Sequence, residues 1–179
     1  MANINKSRVV LSTHQLSFPH LGEPYASIPG AKEKYSATIL IDKTDTKEIK
    51  VIQDAYDAAI ENGISKVFGG KRPTNVREIL KDGDATDRDE FKGKFLLSVS
   101  SVNQPDCIDA NLNCIDGKTI VGGDYIRVSC NFVAYNVGGS KGVSCYLQNV
   151  QLVEKARTPF SSKKTAKSDF ATIKNEEFM

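Results

Sequence analysis

The sequence predicts a mainly β protein with one long helix, in which five or six antiparallel strands close into a barrel with long loops. Two observations lead to this β-rich α+β prediction. Residues 123–153 form two long β-type segments around a glycine-rich turn, and the first segment alternates apolar and polar side chains with a period of two. Residues 42–67 place apolar side chains three and four positions apart, which is typical of an amphipathic helix.

The N-terminal third is predicted to hold two strands followed by the helix. Residues 6–18 have the composition of an extended strand, and the prolines and glycines over 19–30 predict a long irregular connection after it. A run of β-forming residues predicts the second strand over 34–41. We expect the helix to begin with Asp42 or Thr44 as its N-cap.

The C-terminal half is predicted to contain the remaining strands. After an irregular stretch, residues 91–102 alternate as a strand, residues 107–115 form a shorter and poorer one, and residues 123–153 form a long hairpin. The glycine-rich turn at 138–142 is read as a hairpin turn because no helix follows it to hold a phosphate. An OB fold fits this number and order of strands.

The composition is that of a soluble globular domain, with 40% hydrophobic and 26% charged residues. Residues 1–154 are expected to form one folded domain and residues 155–179 a flexible polar tail. No apolar run approaches the about 20 residues of a membrane-spanning helix. The apolar run over 9–11 is too short for a signal peptide, so we expect a cytoplasmic location, in the host cell if the chain is encoded by a phage.

Charge is distributed unevenly around a net value of +2. Residues 1–154 carry 18 basic and 19 acidic groups, whereas residues 155–179 carry 6 basic and 3 acidic groups. Because the body is nearly neutral, a nucleic-acid site is expected to be a local stripe of Lys and Arg rather than a uniformly basic surface.

One face of the strand that begins near Tyr125 has the residue types that bind single-stranded nucleic acid. The opposite face is apolar and is predicted to be core. Aromatic rings can stack on bases while cations neutralise phosphates, although tyrosines on a sheet surface also pack against neighbouring strands. The contacts predicted on the hairpin are Tyr125, Arg127, Asn131, Tyr135 and Lys141, and the phosphate partners predicted elsewhere are Lys34, Lys71, Arg72, Lys92 and Lys94.

Motifs of known catalytic sites are missing from the sequence, which favours a binding protein that is not an enzyme. Four cysteines lie 7, 16 and 15 positions apart without a C-x-x-C pair, so reduced thiols are expected and no metal or other cofactor. Two alternatives remain open. The acidic run over 82–90 could serve a metal-dependent nuclease, and a small barrel could belong to a phage structural or adaptor protein.

The chain resembles the OB-fold single-stranded-DNA-binding proteins of tailed bacteriophages. The resemblance rests on the order of several segments over more than a hundred residues. It implies a protein that destabilises the DNA double helix and coats exposed single strands during phage replication or recombination. The sequence leaves the oligomeric state open between monomer and dimer. The segments that carry the resemblance are 16–21, 23–24, 34–41, 82–84, 91–94, 124–128 and the continuation to 143.

The tail has two possible roles. Members of this kind often recruit replication proteins through an acidic tail that ends in an aromatic residue, and Glu176, Glu177 and Phe178 repeat that arrangement at the end of this chain. These three residues are the predicted partner-binding site. The basic residues Lys163, Lys164 and Lys167 could instead add phosphate contacts.

Overall fold

The computed structural model describes residues 7–160, which contain eight strands and one long helix. Three short 3-10 turns, Gly83–Ala85, Asp89–Phe91 and Gly117–Thr119, lie between them. Within the described range, no helix is long and apolar enough to span a membrane. The elements are β1 (Arg8–Val10), β2 (His14–Tyr25), β3 (Lys34–Asp42), α1 (Thr46–Lys66), β4 (Leu80–Asp82), β5 (Lys94–Ser101), β6 (Asp106–Ile108), β7 (Tyr125–Val137) and β8 (Ser140–Glu154).

Five strands close into a barrel in the order β2, β3, β5, β8, β7 and back to β2. The closing contact pairs His14 with Ile126, and the neighbouring pairs are antiparallel except for β5 and β8, which run parallel at Ser100 and Tyr146. The three short strands extend the sheet, with β1 on β7, β4 on β5 and β6 on β8. This closed five-stranded arrangement is an OB fold, as predicted.

The β7–β8 hairpin forms where the alternating sequence predicted it. Gly138 and Gly139 have φ values of 57° and 82°, the left-handed backbone that a two-residue type I′ turn requires. The alternate residues of β7 point into the barrel and are at most 9% exposed. These inward residues are Ile126, Val128, Cys130, Phe132 and Ala134.

Helix α1 lies against β7 and begins later than predicted. Its N-cap is Asp45, whose side chain accepts a hydrogen bond from the backbone N of Glu48 at 3.2 Å, so neither Asp42 nor Thr44 is the cap. Near the other end, Gly63 allows close packing, because a Cβ at this position would lie 2.6 Å from the Cβ of Ala134.

The irregular connection predicted after residue 18 is wrong, because β2 continues to Tyr25 through two prolines. The pairing of β2 with β3 shifts register between Ser17 and His20 and again before Tyr25. Such bulges leave backbone groups out of the ladder, so a proline that lacks an N–H is tolerated there. The strand predicted over 107–115 is also shorter, since only β6 and a single bridge to Cys114 form.

Candidate nucleic-acid interface

An open groove of about 630 Å³ lies on the outward face of β2, β3 and β5. Aromatic side chains of β2 line one side, while small hydroxyl side chains of β3 and β5 form much of the floor. In an OB fold, oligonucleotides and oligosaccharides bind on the face of the second and third barrel strands, which here are β3 and β5. The lining residues are Phe18, His20, Tyr25, Ser27, Ser36, Ala37, Thr38, Ser98, Val99 and Ser100.

Two rings of β2 form a stacked platform in the groove. The centres of the His20 and Tyr25 rings are 4.3 Å apart with an interplanar angle of 9°, and Tyr25 is 51% exposed. Lys34 is exposed and is the β3 partner of Tyr25 in the sheet register. The platform therefore combines a flat ring with a neighbouring cation, which suits a base and its phosphate.

A second aromatic platform lies further back along β2, at Phe18. This residue has a φ of 51°, which is unusual for a residue with a bulky side chain, and its side chain is exposed. The Arg88 guanidinium lies 4.4 Å from the centre of the Phe18 ring, and the Phe91 ring meets Phe18 edge-on at 6.1 Å. Arg88 also forms an ion pair with Glu90 at 3.1 Å. Stacking surface and positive charge again occur together.

Three of the predicted phosphate partners lie on or beside the strands of this groove. Lys34 begins β3, Lys94 begins β5, and Lys92 lies just before it. Lys94 is ion-paired with Asp42, its partner in the β3–β5 register, and Lys92 is 3.1 Å from Asp89. Lys92 and Lys94 therefore already have acidic partners in the free protein.

The residues predicted on the hairpin do not line the groove, because β7 pairs with the start of β2 and with β8 rather than with β3 or β5. Arg127 donates a hydrogen bond from Nε to the carbonyl of Leu11 at 3.2 Å. The Tyr135 ring covers Gly142, where a Cβ would lie 2.7 Å from its Cζ atom. The members of this outward set are Tyr125, Arg127, Asn131 and Tyr135 on β7 and Lys141 on β8.

The remaining predicted residues belong to neither set or lie outside the described range. Lys71 and Arg72 follow α1, and Arg72 is ion-paired with Glu61. Glu176, Glu177 and Phe178 lie beyond the described residues. DNA contact by the ten basic, polar and aromatic residues, and partner binding by the last three, stay predictions.

Lys43 forms ion pairs with two carboxylates of the acidic run over 82–90, the segment considered for a nuclease site. Its Nζ lies 2.6 Å from Asp82 Oδ1 and 2.6 Å from Asp84 Oδ2. These hydrogen bonds lower the pKa of both carboxyls and raise the pKa of Lys43. In residues 7–160, the group of His, Cys, Asp and Glu close enough to share a metal ion is His14, Asp45 and Glu48, outside that run.

Sequence reasoning missed the aromatic side of the groove, namely Phe18, His20, Tyr25 and the neighbouring Arg88. The prolines and glycines predict a loop over 19–30, and Phe18 ends the predicted strand before it. The available signal was three aromatic side chains within eight residues that end one strand, directly before a strand whose outward positions are Ser and Thr. Recognising the second and third barrel strands as the binding face would have pointed to the hydroxyl floor of β3 and β5, which the aromatic residues of the first barrel strand border.

Comparison with known proteins links this fold to phage proteins. The family model described as "Enterobacter phage Enc34, ssDNA-binding protein" matches residues 7–179. Protein p50 of Acyrthosiphon pisum secondary endosymbiont phage 1 is 32% identical over 156 residues, covering 80% of this chain and 82% of that protein.

Solved structures show the same fold at low sequence identity. The single-stranded DNA-binding protein from bacteriophage Enc34 in complex with ssDNA has a TM-score of 0.73 at 24% identity, covering 87% of this chain and 90% of that one. The single-stranded DNA-binding protein gp2.5 encoded by bacteriophage T7 has a TM-score of 0.62 at 13% identity, covering 87% of this chain and 90% of that one.

Proposed function

The chain belongs to the family of the Enterobacter phage Enc34 ssDNA-binding protein, and from this premise we propose that it binds single-stranded DNA without sequence specificity and without catalysing a reaction. In this role it coats and protects unpaired DNA during phage replication or recombination, in the cytoplasm of the host. Bases stack on aromatic rings, and Lys and Arg side chains neutralise phosphates.

The observation that supports this proposal best is the pair of aromatic platforms in the groove of β2, β3 and β5. Phe18 and Tyr25 are 45% and 51% exposed and line the same groove, and exposed apolar side chains that share one concave surface mark a binding site. Every base has a flat π-face, so such rings bind any sequence, and each stacked base contributes about 1–3 kcal/mol. The hydroxyl groups on the groove floor supply hydrogen-bond partners beside the rings.

Fluorescence anisotropy with a labelled oligo-dT and a duplex of equal length tests the proposal. We expect the single strand to bind more tightly, with affinity that falls as salt is added. Three to five phosphate contacts give a slope of log K against log salt of about −2 to −3.5. Anisotropy that stays flat at low ionic strength, or equal binding of the duplex, would contradict the proposal.

Two double variants locate the stacking surface. Phe18→Ala with Tyr25→Ala removes the groove platforms, whereas Tyr125→Ala with Tyr135→Ala removes the rings predicted on β7. We expect the first pair to weaken binding at least tenfold, because each platform contributes about 1–3 kcal/mol. If only the second pair weakens binding, the stacking surface is the outward face of β7.

The same oligonucleotide distinguishes the alternative roles. Incubation with magnesium should leave its length unchanged, since Asp82 and Asp84 are ion-paired with Lys43. Shortening that depends on magnesium and on these two carboxylates would support a nuclease. Neither cleavage nor a mobility shift would favour a structural or adaptor protein.

A further inference from the structure

The chain does not leave the barrel at the end of β8. Residues 155–160, here called the C-terminal strap, return along the barrel and are held by Asp124, which is fully buried. Asp124 accepts hydrogen bonds from the backbone N of Ala156 at 2.8 Å and from Lys155 Nζ at 2.6 Å. Lys155 Nζ also donates to the carbonyl of Thr119 at 2.6 Å. The start of the strap is therefore fixed to the segment before β7.

Two glycines let the strap approach the barrel closely. Phe160 donates its backbone N–H to the carbonyl of Gly122 at 2.8 Å. Gly123 has a φ of 100°, and a Cβ on it would lie 3.2 Å from both the Cβ of Ala156 and the backbone N of Phe160. A side chain at Gly123 would strain the backbone and crowd the strap. Phe160 is thus held in place by backbone contacts as well as by its ring.

The Phe160 side chain packs on a small hydrophobic cluster outside the barrel core. The cluster consists of Leu40 from β3, Leu96 from β5 and Phe91 from the loop before β5, all at most 8% exposed. Leu40 and Leu96 face each other in the β3–β5 register, on the outward side of the two strands that also form the groove floor. The strap therefore covers the apolar part of the same face.

Phe91 connects this cluster to the second aromatic platform. Its ring meets the ring of Phe18 at 6.1 Å with an interplanar angle of 73°, and Arg88 lies 5.9 Å from the Phe91 ring centre. Packing thus runs from Phe160 to the cluster of Leu40, Leu96 and Phe91, and from Phe91 of that cluster to Phe18. Phe91 and Arg88 thus both lie against the exposed Phe18 ring.

We propose that Phe160 is a positioning residue of the DNA-binding groove, which holds Phe91 against Phe18 so that the Phe18 ring is oriented to stack on a base of single-stranded DNA. The proposal rests on the proposed function. It makes the strap part of the binding site, although the strap follows the last barrel strand and touches no base itself.

The test compares Phe160→Ala with Phe160→Leu in the full-length chain, using anisotropy with labelled oligo-dT. Removal of a whole stacking platform lowers affinity by about 5- to 150-fold. Phe160→Ala loosens one platform without removing it, so we expect a loss of about fivefold, the lower end of that range. Phe160→Leu keeps an apolar side chain on Phe91 and should retain most of the affinity. The salt slope should not change in either variant, because no phosphate contact is lost.

A double-mutant cycle separates positioning from a purely structural effect. Combined with Phe18→Ala, Phe160→Ala should cause no further loss of affinity, since its effect acts through the Phe18 ring. Active-site titration with excess oligonucleotide corrects for any unfolded fraction, and Val137→Ala at the exposed hairpin tip is a control for loss of apolar surface.

Each outcome decides a different claim. Unchanged affinity in Phe160→Ala, or losses that add in the double variant, would overturn the positioning role while leaving the groove assignment intact. Unchanged affinity in Phe18→Ala alone would overturn the stacking role of Phe18 and the positioning role with it, whereas unchanged affinity in the double variant of Phe18 and Tyr25 would overturn the groove assignment itself.

Discussion

The guanidinium of Arg88 lies 4.4 Å from the centre of the exposed Phe18 ring, so a cation covers part of an aromatic surface in the free protein. Arg88 is also bound to Glu90, which keeps it within the loop before β5. A nucleotide that stacks on Phe18 would bring its phosphate close to this cation. We therefore expect Phe18 and Arg88 to bind the same nucleotide, Phe18 by stacking on its base and Arg88 by neutralising its phosphate.

Arg88→Ala and Phe18→Ala should differ in their dependence on salt. Loss of Arg88 removes a phosphate contact, so affinity at low salt falls and the slope of log K against log salt becomes less negative by about 0.7. Loss of Phe18 removes stacking, so affinity falls at every salt concentration with little change in slope. Titrations at four salt concentrations measure both slopes. Identical slopes in the two variants would show that Arg88 does not contact phosphate.

Gly63→Ala should destabilise the protein, although alanine is the better helix former. The helix-propensity gain is at most about 1 kcal/mol, whereas forcing a methyl group into a packed contact costs about 1–3 kcal/mol. The added Cβ would lie 2.6 Å from the Cβ of Ala134, so we expect the overpacking cost to exceed the gain. Urea denaturation measures the free energy of unfolding. Ala134→Gly in the same chain should recover part of the loss, and a stabilised Gly63→Ala variant would contradict this packing.

Glu48 should make stability depend on pH in the acidic range. Its carboxylate accepts hydrogen bonds from the backbone N of Ser12 at 3.1 Å and from the Ser12 hydroxyl at 2.8 Å. Burial raises the pKa of Glu48, but the contacts with His14 and Ser12 together lower it more, so its folded-state pKa lies below the ordinary value of 4.5. A carboxyl whose pKa is lower in the folded state stabilises the fold at pH values above its unfolded-state pKa. This stabilisation is lost as the pH falls through the folded-state pKa.

Glu48→Gln provides the test, because glutamine keeps the shape of the side chain but does not titrate. We expect the free energy of unfolding of the parent protein to fall more steeply than that of Glu48→Gln below pH 4.5. Urea denaturation at several pH values between neutrality and acid measures the two profiles. Parallel profiles would mean that another group causes the acid dependence.

The cysteines should differ sharply in reactivity toward a thiol reagent. Burial raises the pKa of Cys107 to about 11 and also raises the pKa of Cys145, and Cys130 is fully buried, whereas Cys114 is exposed. Because the thiolate is the reactive form, we expect one fast-reacting thiol in the native protein at mildly alkaline pH. Cys114→Ser should remove the fast phase, and denaturant should make the other thiols react. More than one fast thiol in the folded parent protein would contradict the buried positions.

Local patterns predicted the elements whose geometry depends on near neighbours. The alternation from Ile126 to Ala134 predicted which side of β7 is buried, because successive side chains of a strand point to opposite faces. The spacing of Ile52, Ala59 and Ile60 predicted the buried side of α1 for a similar reason. The cap at Asp45 was missed by one position, which is the usual uncertainty at helix ends.

The groove could not be predicted in this way, because it depends on pairing between distant segments. Prolines at 19 and 24 indicated a loop, but the bulged pairing with β3 keeps this segment in the sheet. Phe18 lies in the bulged segment and has a positive φ. A glycine would have indicated such a backbone in the sequence, but a phenylalanine does not. The barrel order that separates β7 from the groove likewise depends on contacts across the whole chain.

Closure of the barrel brings opposite parts of the chain into register, with Gln15 beside Tyr125. The β7–β8 hairpin can form early from adjacent residues, but the first barrel strand finds its second neighbour only after most of the protein has been synthesised. This high contact order predicts folding in milliseconds to seconds rather than microseconds. A nascent chain on the ribosome therefore leaves the start of β2 without its second neighbour until residues 125–126 of β7 have been synthesised.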